Sequence, residues 1–358
     1  MDAIKSKISS LTHKKDATSG PILLTGASGF MAAHILNSLL SHGHHVRGTV
    51  RSESSADKVR STHSQYSDLL TFAIVKDVAA SGAFDEAVKG ISGAIHSASP
   101  FVMNVEDNEK DLLAPAIHGT TNILKAIAAH APQVKRVVIT SSFASIIDMN
   151  QGARPRYTYT EADWNPITYD EAKAAESGAV AYCASKSLAE KAAWDFVKEQ
   201  KPNFSLATIC PPMVYGPNVH SLESLDKLNT SSADIYRLMN GSEKSVPETQ
   251  FYAFVDVRDV AEAHRLAYEK EEAGGERFLV TGGSYSYQEV CDIIRKNVPE
   301  VRGRTPEGKP GSGLGMEVYG VDGSKAERVL GVKYTGLQKC ITDEVKGFVE
   351  LERKEGKL

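Results

Sequence analysis

The chain has little cysteine, and what it has is scattered. Cys183, Cys210, Cys291 and Cys340 are the only four in 358 residues, and no two form a C-x-x-C pair. That spacing suits neither a metal site nor a disulfide framework, so no metal is expected and a reduced, cytoplasmic setting is. Charge of one sign is missing as well: 41 Lys and Arg stand against 45 Asp and Glu, for a net charge of −4. A chain so balanced has no broad basic field to attract nucleic acid or an anionic membrane. No apolar run approaches the ~18 residues that span a bilayer. Residues 1–19 are polar and mixed, without the apolar stretch of a signal peptide, and read as a flexible N-terminal arm. The remaining composition is that of a globular protein, 41% hydrophobic and 24% charged. The length allows two domains, or one large domain with an appended lobe.

Where glycine is concentrated it carries information. Ile22 to Thr25 is a short apolar run, read as a buried strand. Gly26, Ser28 and Gly29 follow as a turn, and Phe30, Ile35, Leu36, Leu39 and Leu40 recur at helical spacing until Gly43 stops the helix. Val46 to Val50 is the second strand. A glycine turn between strand and helix lets backbone N–H groups and the helix N-terminus approach a pyrophosphate. The spacing is Gly26-x-x-Gly29-x-x-Ala32 rather than G-x-G-x-x-G, with alanine at the close-packing position. An NAD site places an acidic residue at the end of the second strand; here the strand runs into Arg51. A guanidinium can pair with a ribose 2′-phosphate through two hydrogen bonds, so NADPH is expected over NADH. Ser55 or Lys58 would assist, and Glu53 lies beyond the strand. The plainer reading of Arg51 is a solvated surface charge.

Further strands are expected at 69–78, 93–99, 134–142, 204–210 and 277–281, with a long helix over 111–130. Asp77 and Val78, ending the third strand, would flank an adenine, with a surface turn as the alternative. Ser141 and Ser142 end the fifth, where open parallel sheets place their sites. Ser286–Glu289 and Ser324–Glu327 match the capping-box pattern. Tyr182 and Lys186, four apart on a helical stretch, share one helix face. A free phenol has a pKa of about 10; a cation beside it is expected to lower that value and make it an acid–base group suited to neutral pH. Cys183 is expected to be inert.

The glycine turn, Ser142 and the Tyr-x-x-x-Lys pair, in that order, resemble the extended short-chain dehydrogenase/reductase family. TGASGFMAAH, TVRS, HSASPF, VVITSSFASIIDM, AYCASKSLAEKAAW and VDVRDVAEAH are similar to the fungal NADPH-dependent aldehyde and methylglyoxal reductases, relatives of plant dihydroflavonol and cinnamoyl-CoA reductases. The resemblance implies an α/β fold: a Rossmann-type, doubly wound parallel sheet with a smaller C-terminal substrate-binding lobe. The NADP-binding domain would span 20–212, with 251–283 returning to it; 213–250 and 284–358 would form the lobe. It implies reduction of aldehydes, ketones and α-dicarbonyls to alcohols. Tyr182 would be the proton donor, Lys186 its partner and a ribose ligand, and Ser142 the hydrogen-bond donor to the carbonyl. Gly26, Ala27, Ser28, Gly29, Phe30 and Met31 would bind pyrophosphate, Arg51 the 2′-phosphate, Asp77 and Val78 the adenine, and Val214 and Ser231 the nicotinamide half. Phe101, Phe143 and Tyr215 would line the substrate pocket, with ordinary core aromatics as the alternative. A hydroxysteroid dehydrogenase, a sugar-nucleotide epimerase or dehydratase, and an NADP-sensing regulator without catalysis are the other readings. Either a monomer or a homodimer would fit.

Overall fold

The computed structural model describes residues 20–99, 105–219, 224–225 and 228–358. The expected arm 1–19 and Phe101 lie outside them. A seven-stranded sheet forms the centre: β1 (Ile22–Thr25), β2 (Val46–Val50), β3 (Leu70–Ile74), β4 (Gly93–His96), β5 (Arg136–Thr140), β6 (Ser205–Cys210) and β7 (Arg277–Leu279). The spatial order is β7-β6-β5-β4-β1-β2-β3, and every neighbouring pair is parallel. The order reverses between β1 and β4, which opens a crevice beyond their carboxyl ends.

Strand periodicity explains the layers. Ile22 and Leu24 point into one core and Leu23 into the other; Val138 and Ile209 join the first, Val137, Ile139 and Leu206 the second. Helix α1 (Phe30–Ser41) covers the first face, with Leu36 and Leu39 in that core. Helix α2 (Glu53–Thr62) follows β2, with Ser52 as its N-cap. Helices α3 (Ala114–His130) and α4 (Gly178–Gln200) cover the second face through Ile123, Ile127 and Ala193. Helix α5 (Val257–Glu269) packs beside α1 through Val260 and Ala263.

Several strands stop earlier than the apolar runs do. β4 ends at His96 because the Thr25 hydroxyl accepts from the amides of Ser97 (3.1 Å) and Ala98 (3.0 Å), taking them out of the ladder. β3 ends at Ile74; three residues on, the Asp77 carboxylate accepts from Ala79 N at 2.9 Å and turns the chain. Ser286 caps the helix Tyr287–Asn297 as expected, accepting from Glu289 N at 3.1 Å. The second expected box does not form: Ser324 N donates to Asp322 at 2.8 Å, and the helical run 326–330 starts from Lys325.

Strands Met213–Tyr215, Ala253–Asp256 and Gly283–Ser284 form a separate three-stranded sheet. Around it a third core gathers Ile235, Val290, Ile341 and Phe348 from the helices Thr230–Met239, Tyr287–Asn297 and Leu337–Lys354.

Candidate active site

A groove of about 540 Å³ runs along the carboxyl ends of the central strands. Gly26, Ser28, Gly29, Arg51, Asp77 and Val78, six of the expected cofactor residues, line it. Gly26 holds φ +68°, and a Cβ there would sit 3.2 Å from Ala98. Any other residue would therefore be both strained and crowded. No side chain caps the N-terminus of α1, and its first turn carries no acidic residue. Its amides and positive dipole end thus remain for an anion in the groove.

Two buried threonines hold this end in shape. Thr49 accepts from Gly26 N at 3.2 Å through its hydroxyl and from Ala27 N at 2.9 Å through its carbonyl. Thr25 binds the loop after β4, and both its lone pairs are taken there, so its proton goes to His96 Nδ1, 2.9 Å away. Burial, assisted by the positive Lys186, pushes the His96 pKa down to about 4, so the ring is neutral and can accept. Asn122 on α3 donates to the carbonyls of Val78, Ala79 and Ala80, anchoring the loop expected to flank the adenine. Lys76 also lines the groove. None of these four was singled out in the sequence; only the end-of-strand position of the two threonines offered a signal.

Three expected pyrophosphate residues contribute no side chain to the groove. Ala27 is fully buried against Val50 and Ala56. Phe30 and Met31 pack on the core, because helical geometry turns them toward the sheet. They offer backbone only.

At its far end the groove is lined by Ser99, which accepts a 2.6 Å hydrogen bond from Nζ of Lys186, one of the expected catalytic residues. Lys186 lies one turn after Tyr182 on α4, its ammonium 5.4 Å from the phenol ring centroid. Burial lowers the Lys186 pKa to about 8. The expected acidification of Tyr182 is not what the structure gives. Burial, with a smaller push from Cys183, raises the phenol to about 12. Desolvation outweighs a cation that is itself desolvated and already engaged by Ser99. The phenol is therefore protonated at neutral pH, and its hydroxyl has no hydrogen-bond partner among the described residues. Cys183 is fully buried with its thiol pushed up to about 12, which leaves it inert, as expected.

Ser142 ends the extended segment after β5 and caps the short turn Phe143–Ser145, its Oγ accepting from Ala144 N at 3.1 Å. The capping and chemical readings of this serine are compatible, since accepting one bond leaves its proton to donate. Neighbouring Ser141 is committed elsewhere: its hydroxyl donates to the buried Glu190 carboxylate at 2.5 Å.

Four other expectations do not reach the groove. Phe143 is a core residue, 3% exposed and packed on Tyr159 and Tyr319. Tyr215 is fully buried, its hydroxyl 2.8 Å from both Asp234 and Tyr285. Both are corrected from pocket lining to core: Phe143 opens the short turn after β5 and Tyr215 closes the strand Met213–Tyr215, and each is packed against neighbouring elements there. Val214 pairs with Val255 in the small sheet and belongs to the first core. The Ser231 hydroxyl accepts from Asn229 Nδ2 at 2.8 Å in the first turn of its helix.

Comparison with known proteins places these features in context. The model of the NAD dependent epimerase/dehydratase family matches residues 22–281. The chain is 40% identical to ketoreductase azaE of Aspergillus niger, over 92% of this chain and 97% of that one. It is 36% identical to the NADPH-dependent methylglyoxal reductase GRE2 of Saccharomyces cerevisiae, over 92% and 98%. Among solved structures it resembles yeast methylglyoxal/isovaleraldehyde reductase Gre2 complexed with NADPH, with a TM-score of 0.87 at 34% identity, covering 94% of this chain and all of that one.

Proposed function

The chain belongs to the NAD dependent epimerase/dehydratase family, and from that premise we propose that it is an NADPH-dependent carbonyl reductase acting on aldehydes, ketones and α-dicarbonyls. The observation that carries this reading is continuity. One groove runs from the Arg51 guanidinium, past the uncapped N-terminus of α1, to Ser99, and Ser99 is hydrogen-bonded to Lys186 on the helix that carries Tyr182. A dinucleotide has that shape: a phosphorylated ribose at one end, a pyrophosphate between, and the reacting ring at the other. The residues fit the group. The glycine turn leaves room that a Cβ would fill, the helix end favours anions, and the Arg51 side chain makes no ion pair or hydrogen bond among the described residues.

When bound, NADPH supplies the hydride; the chain's own residues supply position and a proton. Tyr182, kept protonated by burial, donates its proton to the carbonyl oxygen. Lys186, charged below about pH 8, stabilises the phenolate left behind and holds ribose hydroxyls. The Ser142 hydroxyl donates to the same carbonyl oxygen, favouring the charge that develops on it. Arg51 and the adenine-side loop of Asp77 and Val78 hold the far end of the cofactor. Residues 213–250 and 284–358 form the substrate-binding lobe in this reading. They line a cleft of about 380 Å³ through Val246, Thr249, Gln288, Leu314 and Met316, with Tyr252 of the returning segment beside them. Four unpaired, buried thiols agree with a cytoplasmic setting.

The test is NADPH oxidation followed by absorbance, offering methylglyoxal, an aliphatic aldehyde and an aryl ketone separately, with NADH as control. Turnover with NADPH well above NADH is the expected result. Tight NADPH binding without turnover of any carbonyl would overturn the catalytic reading in favour of a cofactor sensor.

A further inference from the structure

Glu190 lies one turn after Lys186 and two after Tyr182, so the three share a face of α4. It is an acidic residue only 2% exposed, and carbonyl reduction as set out above gives it nothing to do. Its carboxylate is saturated with donors. Oε1 accepts from Thr208 Oγ1 (2.7 Å), Arg277 Nε (2.8 Å) and Trp194 Nε1 (3.3 Å). Oε2 accepts from Ser141 Oγ (2.5 Å) and Arg277 Nη2 (3.1 Å), and the Ser145 hydroxyl lies 2.6 Å from it. Burial alone would raise the carboxyl pKa; the Arg277 charge and these hydrogen bonds win and lower it, so Glu190 is an anion.

Arg277, on β7, is spent in the same way. It donates to the carbonyls of Glu161 (2.8 Å), Asp163 and Ser145 (3.2 Å), and its guanidinium stacks 3.6 Å over Trp164. The pair thus joins α4, the end of β5, β6, β7 and the loop after β5.

The important connections run to Ser142. Ser141 precedes it. Ser145 closes the turn that Ser142 caps, and its hydroxyl also lies 2.7 Å from the Ser142 carbonyl. Lys186 and Glu190 line one cavity of about 20 Å³, together with Ser99 and Ser141. Tyr182 and Lys186 ride on α4, whereas Ser142 sits in the segment that follows β5. Among the hydrogen bonds described, those to Glu190 tie Ser141 and Ser145, flanking Ser142, directly to the face of α4 that carries the other two. A buried ion pair is a poor source of net stability, but a carboxylate with this many directional bonds is a strong constraint on geometry.

We propose that the Glu190–Arg277 pair is a positioning device that sets the distance between the Ser142 hydroxyl and the Tyr182–Lys186 face. It acts through Ser141 and Ser145, rests on the carbonyl-reductase reading above, and contributes to turnover rather than to cofactor binding.

Removing Glu190 outright would strand a buried guanidinium, so gentler variants decide the matter. In Ser141→Ala/Ser145→Ala, Glu190 keeps its ion pair but loses both hydroxyls that lead to Ser142. In Thr208→Ala, the same carboxylate loses a hydroxyl of similar burial on β6, away from Ser142. The measurements are kcat per folded, NADPH-binding molecule, the NADPH Kd, and intrinsic fluorescence. The protein has two tryptophans, Trp164 against Arg277 and Trp194 against Glu190, so emission reports on this network. The double variant is expected to lose about 10–100-fold in kcat, the scale of a misplacement near 1 Å, with NADPH Kd within twofold. Thr208→Ala is expected to stay within threefold in kcat. Glu190→Asp, with a shorter reach, should shift tryptophan emission and lower kcat further. Equal kcat in the double variant and Thr208→Ala would overturn the proposal while leaving the carbonyl-reductase reading intact. A parallel loss of NADPH affinity would also overturn it. Wild-type protein that reduces no carbonyl would remove both.

Discussion

At the Arg51 end of the groove Arg51 and Lys76 are exposed and make no ion pair among the described residues, and the shape is set by backbone. At the Tyr182 end Lys186 is half-buried and Glu190 buried, and both are cross-linked. Arg51 and Lys76 extend into solvent at the ends of adjacent strands, making no side-chain bond among the described residues. The rigid part beneath them is a glycine turn pinned by Thr25 and Thr49. Lys186, Glu190 and His96, by contrast, all have titrations moved by desolvation or by buried partners. The difference suits the two tasks proposed for these ends. An anion arriving from water is met well by charges that are still hydrated and pay little to reorganise. A proton transfer needs groups whose protonation is decided in advance and whose spacing does not drift.

Each end should therefore fail in its own way. The largest effect is expected from Tyr182→Phe, which removes the proposed proton donor. kcat should fall by about 10³-fold, within the usual range for general acid catalysis, while NADPH affinity, measured by fluorescence titration, should barely move. Retention of a tenth of the activity would end the assignment of Tyr182 as proton donor.

Arg51→Ala should act at the other end and on binding alone. Loss of a charge-assisted contact worth about 1.5–3 kcal/mol predicts roughly 10–100-fold weaker NADPH binding, with NADH unaffected. Because Arg51 is exposed, the wild-type preference should shrink as salt rises. Equal losses for both nucleotides, or a salt-independent preference, would contradict the contrast drawn between the two ends.

The pH profile gives a third handle. Lys186 has a pKa lowered from 10.5 to about 8, so it is charged below that pH and neutral above it. Reduction should hold steady toward neutral pH, then fall about tenfold per unit above pH 8 as support for the phenolate is lost. The stability contribution of Lys186 should run the opposite way. Between about 8 and 10.5 the unfolded chain binds the proton and the folded one does not, so this group favours folding increasingly as pH rises through that window. A reduction rate that stays flat to pH 10 would show that the ammonium is not required.

The smallest effect is expected from Asn122→Ala. Its amide supports the loop of Asp77 and Val78 from beneath. NADPH and NADH should weaken together, by about fivefold for the loss of roughly 1 kcal/mol of anchoring, without change in the pH profile. A selective loss of NADPH would give Asn122 a phosphate role that its contacts do not support.

The chain pattern alone carries the βαβ opening, the order of the main strands, the glycine turn, and the positions of Arg51, Ser142, Tyr182 and Lys186. These are local properties: a period of two or 3.6, a residue without Cβ, a pair four apart on a helix. Tertiary structure decided the rest. It showed that burial, not the neighbouring lysine, governs the Tyr182 phenol. It sent Phe143 and Tyr215 into the core, and it kept Phe30 and Met31 out of the groove. It also brought Glu190 and Arg277, 87 positions apart, into one buried pair bonded to the serines on either side of Ser142. Desolvation and long-range hydrogen bonding depend on which elements stack against each other, and no window of neighbouring residues contains that information.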